Sequence, residues 1–110
     1  YKMSSQEITK VIEVDGLKFT FTMPSNRQRI DIGKLEAKMR GDFPSDQLDD
    51  VSRSLMYQLA YLNSVVSTPD GFSFDDQVDP FVMNFVYKEC LDFEATFLEQ
   101  RESERASSGV

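Results

Sequence analysis

The side chains able to do chemistry in this sequence are few, and the densest group is Asp75, Asp76 and Asp79. Clustered carboxylate oxygens are the ligand set of a hard cation such as calcium. The segment lacks the Asp-x-Asp-x-Asp-Gly frame and the distal glutamate of an EF-hand loop. It reads better as a solvated loop in which Asp79 caps the adjoining helix. Paired carboxylates also serve glycosidases as acid and base, but those need a cleft built by a larger scaffold. Cys90 is the only cysteine, so no internal disulfide can form. It stands in an apolar helical stretch and reads as a small buried hydrophobe rather than a nucleophile. Histidine is absent from the chain. That removes the commonest general base, the Ser-His and Cys-His dyads and most transition-metal sites. No phosphate-cradling glycine loop is present. The expectation is a protein with no catalytic residue, no cofactor and no metal, working by contact.

Bulk properties narrow the kind of contact. A chain of 110 residues forms one domain with a real but modest core. Its formal charge of −7 argues against generic nucleic-acid binding, which needs clustered Lys and Arg. The one compact basic group, Arg27 and Arg29, is too small to track a phosphate backbone. It reads either as exposed charge at a helix start or as a contact for an acidic surface. An acidic exterior keeps a chain soluble and steers it toward basic partners. No apolar run approaches the roughly 20 residues that span a bilayer, and no signal-peptide pattern opens the chain. With a lone cysteine suited to a reducing compartment, a soluble cytoplasmic protein is expected.

The elements that carry these residues can be read from periodicity. Val11 to Val14, Asp15-Gly16 and Leu17 to Met23 form a hairpin signal with a type I′ turn. Alternation puts Leu17, Phe19, Phe21 and Met23 on one face, which a two-stranded ribbon cannot bury alone. Ser25 and Gln28 then offer a capping box for a helix that runs to about Arg40 and stops at Gly41. Gly33 inside it weakens that helix, or lets a neighbouring backbone approach closely. Ser45 is the next cap, ahead of a second helix in which Leu48, Val51, Leu55, Leu59, Leu62 and Val66 step by three or four. Met56, Ala60, Tyr57 and Tyr61 broaden that stripe. Thr68-Pro69-Asp70-Gly71 is a turn, and Phe72 with Phe74 reads as a core plug. Asp79-Pro80 opens the third helix.

That third helix has two apolar stripes. One runs through Val82, Val86, Cys90, Phe93 and Phe97; the other runs through Phe81, Phe85, Tyr87, Leu91 and Leu98. So wide a girth means a central helix, or a second face for a partner. From about Gln100 the sequence turns polar and is expected to fray into a disordered tail. The predicted fold class is therefore α+β: an amino-terminal β-hairpin packed on a bundle of about three α-helices. Residues 1–99 would form the domain and 100–110 the tail.

The order of parts resembles a known family. "VIEVDGLKFTFTMPS" leads to "RQRIDIGKLEAKMRG", then "LMYQLAYLNSVV", "TPDGFSFDD" and "DPFVMNFVYKECLDFEATF". Over about Val11 to Phe97 this is similar to the tail assembly chaperones of long-tailed bacteriophages. The resemblance implies a non-catalytic cytoplasmic protein, absent from the finished virion. Such proteins coat the tape-measure protein, keep it soluble and recruit tail-tube subunits. Members often occur in a short form and a longer frameshifted form, for which the polar end from Gln100 would be a suitable junction.

The residues are compatible with that role, since adaptable Met and aromatic surfaces suit varied clients. Phe81, Phe85, Leu91, Leu98 and Met83 are the candidate partner-binding residues, with Met39 and Met56 as further Met candidates. For each of them separately, core packing is the competing reading. The alternative function is a structural virion protein, a head–tail connector or tail component, whose hairpin extends a neighbour's sheet. A free ribbon edge and a wide apolar helix would also invite homo-oligomerisation.

Overall fold

Asp15 and Gly16 reverse the chain at positive φ, 52° and 76°, the backbone of a type I′ hairpin turn. The structure is a computed structural model and describes residues 8–43 and 48–107. On either side of the turn lie β1 (Thr9–Val14) and β2 (Leu17–Thr22), antiparallel, with Ile12 opposite Phe19 and Lys10 opposite Phe21. Because side chains alternate, Ile12, Val14, Phe19 and Phe21 all enter the core while Val11 and Thr20 face outward. The predicted hairpin face is the buried one, and Leu17 and Met23 pack at its margin.

The ribbon gains a third strand that its sequence did not announce. β3 (Val66–Ser67) pairs with the outer edge of β2, Val66 lying opposite Phe21. The sheet order is β1-β2-β3. The other edge strand, β1, carries Lys10 on the core-facing side, where its Nζ donates to Glu89 Oε1 at 3.4 Å. A charge pointing inward from an edge strand is a device that discourages further strand pairing.

Helix α1 (Asn26–Arg40) begins with the predicted capping box. Ser25 Oγ accepts from the Gln28 amide and Gln28 Oε1 accepts from the Ser25 amide. It ends at Gly41, whose φ of 67° no β-carbon-bearing residue adopts cheaply. Helix α2 spans Asp50–Val65, capped by Asp49, whose Oδ1 accepts from the Ser52 amide at 2.6 Å. Leu48 therefore precedes the helix, and the cap assigned to Ser45 lies outside the described residues, as does Asp46. At the far end the consecutive valines Val65 and Val66 favour extended backbone, and the helix gives way to β3 there.

Aromatic rings join the sheet to the segment between β3 and the last helix. Phe72 and Phe74 close on Phe19, with ring centroids at 5.1 and 5.5 Å, so the predicted core plug is in place. Phe74 opens a single 3₁₀ turn that ends at Asp76. Helix α3 (Phe81–Ser107) then runs for on the order of 40 Å. Asp79 Oδ1 accepts from the Phe81 amide at 3.0 Å, which makes it the cap expected of it. The fraying predicted from Gln100 is not what the backbone does. Glu, Gln, Arg and Ala are strong helix formers, and Arg101 pairs with Glu104 one turn on, so α3 continues to Ser107.

The architecture is α+β, an antiparallel sheet with one face covered by helices. None of the described helices is long and apolar enough to cross a membrane. The close backbone approach suggested at Gly33 is absent: an added β-carbon there would meet nothing within 4 Å. Gly33→Ala should therefore raise unfolding stability by about 0.5–1 kcal/mol. Urea denaturation checks this as a higher midpoint at unchanged slope.

Candidate functional site

Burial sorts the residues of interest into an interior polar network and an apolar exterior. Glu94 lies one turn beyond Cys90 on the buried stripe of α3 and is only 8% exposed. Its Oε1 accepts from Arg29 Nη2 of α1 at 2.8 Å, and its Oε2 accepts from the Tyr61 hydroxyl of α2. One carboxylate thus takes a hydrogen bond from each of the other two helices. Burial, with the hydrogen bond and charge of Glu94 second, holds the Tyr61 hydroxyl above its ordinary range. Tyr61 also stacks on Phe21 and Tyr57 and receives the edge of Tyr87 at 5.4 Å.

This network assigns Arg29, which is turned inward to Glu94 rather than offered to an acidic partner. Arg27 pairs along its own helix with Asp31 at 3.6 Å. Sequence reasoning missed the network. The signal that could have found it is an acid on the apolar stripe at Cys90 plus four, a position that demands a buried partner.

The acidic loop is spent on structure. Asp75 accepts from Asn63 Nδ2 at 2.8 Å and Asp79 caps α3. Among the described residues, no group of three or more acids and cysteines could hold a metal ion. Cys90 is fully buried, and burial pushes its thiol up to about 12, with the nearby Glu94 charge adding to the shift. A thiol so placed is held neutral and away from reagents.

The exterior of α3 differs from the sequence reading in two residues, Met83 and the partly buried Tyr87, and in its continuity. Phe81, Phe85, Leu91 and Leu98 are exposed, whereas Met83 is 5% exposed and belongs to the core. Met83 lies on the side of the helix turned toward α2, so the little of it that stays accessible faces the space between the two helices. Met39 packs against the core as well. At about 100° per residue, Phe81 and Phe85 point roughly 110° away from Leu91 and Leu98. The two phenyl rings are neighbours, 6.2 Å apart, and further along their side of the helix the surface turns polar at the exposed Lys88–Asp92 pair. The second stripe is two apolar patches.

A further apolar surface lies on α2. Val51 and Leu55, predicted as core, are 76% and 42% exposed. The core ends near Leu59, so the first turns of α2 extend past what the sheet and α3 can cover. Between these turns and the start of α3 runs a groove of about 430 Å³, bordered by Val51, Leu55, Pro80 and Met83. It continues into a recess of about 200 Å³ toward Leu59, Phe74 and Val78. Periodicity alone could not separate these positions from core, because the spacing is the same on both. No protein-family model, curated protein or solved structure matches the chain.

The interior is testable in two ways. Tyr61→Phe and Arg29→Met should each cost roughly 1.5–3 kcal/mol, the range for hydrogen bonds to a charged group. Because both act on Glu94, a double-mutant cycle on unfolding free energies should show their losses to be non-additive by at least about 0.5 kcal/mol. The second test uses alkali. Tyr61 and Cys90 both titrate higher when folded, so the stability they contribute is whole below the unfolded values and lost as pH rises through the folded ones. For Cys90 the window runs from 9.0 to about 12. Urea midpoints should fall between about pH 8 and about pH 11, and Cys90→Ala should flatten that fall.

Proposed function

We propose that the protein is an assembly chaperone of a long-tailed bacteriophage, acting in the host cytoplasm. It would hold the tape-measure protein and recruit tail-tube subunits without chemistry of its own. The observation that carries this reading is apolar side chain left over once the core is complete. Phe81, Phe85, Leu91 and Leu98 on α3 and Val51 and Leu55 on α2 are all exposed on regular helices. Neighbouring exposed apolar groups, as Phe81 with Phe85 and Val51 with Leu55 are, suit an interaction surface. The two groups whose pKa rises most, Tyr61 and Cys90, are both buried and so support packing rather than catalysis. The order of sequence parts that resembles the tail chaperones supplies the identity of the client.

The virion-component reading is less well supported, because β3 covers one edge of the ribbon and the inward charge of Lys10 discourages pairing at the other. Co-expression with the tape-measure protein, followed by analysis of mature particles, separates the two. The chaperone should co-purify with soluble tape measure and be missing from particles. Stoichiometric presence in particles would overturn the reading. Phe81→Glu and Leu98→Glu should weaken tape-measure retention by about tenfold while unfolding stays cooperative. Variants that unfold instead would place both patches in the core.

A further inference from the structure

The groove between α2 and α3 has a chemistry of its own. Its lining is chiefly apolar: Met83 and Leu59 are the more buried part, with Leu55 and Pro80 beside them and the exposed Val51 and Val78 at the rim. The only charged residues that line it are acidic, Asp50 toward the start of α2 and Asp75 toward the 3₁₀ turn. No Lys or Arg is among those lining residues; Arg53, which pairs with Asp50, borders neither part of the groove. We propose that this groove binds an amphipathic helix whose apolar stripe is flanked by Lys or Arg. The proposal deepens the chaperone reading by naming the chemistry of the client segment, and rests on that reading for the client's source.

Length supports a helical occupant. From Val51 to Leu59 the wall of α2 is about 12 Å long, and anchors at i, i+4 and i+7 of a bound helix span about 10.5 Å. Backbone chemistry supports it too. The groove walls are largely helical and present no strand edge. An extended peptide would therefore enter without a ladder to join, whereas a helix brings its own hydrogen bonds. Charge selects the rim. A second copy of this chain would bring its own −7 against acidic edges, while a cationic flank would be drawn to them.

The test is fluorescence anisotropy of the full chain with a labelled peptide of roughly 15 residues built from Leu, Ala and Lys. Its leucines stand at i, i+4 and i+7 with lysines on both flanks; a scrambled peptide of equal composition is the control. The patterned peptide should bind at least about tenfold more tightly than the scrambled one. Val51→Lys and Leu55→Lys replace exposed residues, so they should fold normally by circular dichroism yet weaken binding about tenfold. Ile30→Lys, exposed on α1 and outside the groove, should bind as the wild type does. Equal binding of the scrambled peptide, or indifference to both groove substitutions, would overturn the proposal. So would a wild-type dimer in sedimentation that Val51→Lys dissociates, since the groove would then be a self-interface. Failure here with tape measure still retained leaves the chaperone reading standing. Peptide capture without tape-measure retention leaves the groove standing and removes that reading.

Discussion

A nearly buried carboxylate with two donors organises this fold. Glu94 would be costly to bury alone, and its cost is met by Arg29 from α1 and Tyr61 from α2. Any sliding of one helix against the others would break a charge-assisted bond in a low-dielectric setting. Leu, Val and Phe contacts tolerate small shifts; this arrangement does not. The network sits where the sheet meets the helices, for Tyr61 stacks on Phe21 of β2 and Phe93 sets its edge on the same ring. Specific registration of three helices is therefore a property of one buried acid and its two donors.

The surface that this anchoring leaves uncovered is as informative. Around Tyr61 and Glu94 the helices are held together. Toward their amino ends, at Val51 and Leu55 of α2 and Phe81 and Phe85 of α3, apolar side chains outrun the core. The sheet does not cover them, since β3 on its outer edge is only two residues long. Under the proposed function, the packed end would hold the fold and the apolar end would meet the client. A holdase needs that division, since its own fold must survive while its surface exchanges clients.

Much of the architecture is legible in the sequence because local chemistry and global packing agree there. Asp15-Gly16, the Ser25/Gln28 box, Gly41 and the Asp79 cap are each a short pattern with one good backbone solution. Alternation identifies the buried sheet face for the same reason. Sequence and structure part where a pattern has two solutions. Val51 and Leu62 share a helical period, yet one is exposed and the other fully buried, a difference made by how far the core reaches. Val66 fits the helix stripe by spacing and the strand by β-branching, and pairing with Phe21 decides it. The polar run after Gln100 reads as tail because its residues lack an apolar stripe, though they are good helix formers. Of the proposed contact residues, four of α3 are exposed and Met83 is not; the groove exists only once α2 and α3 lie side by side.

Amide hydrogen exchange with and without tape-measure protein tests the central claim, that surplus apolar surface on the helices is the working surface. The account predicts added protection at the first turns of α2 and along the outer side of α3, with the sheet and the Glu94 region unchanged. Protection confined to β1, or none at all while the client stays bound elsewhere, would contradict it.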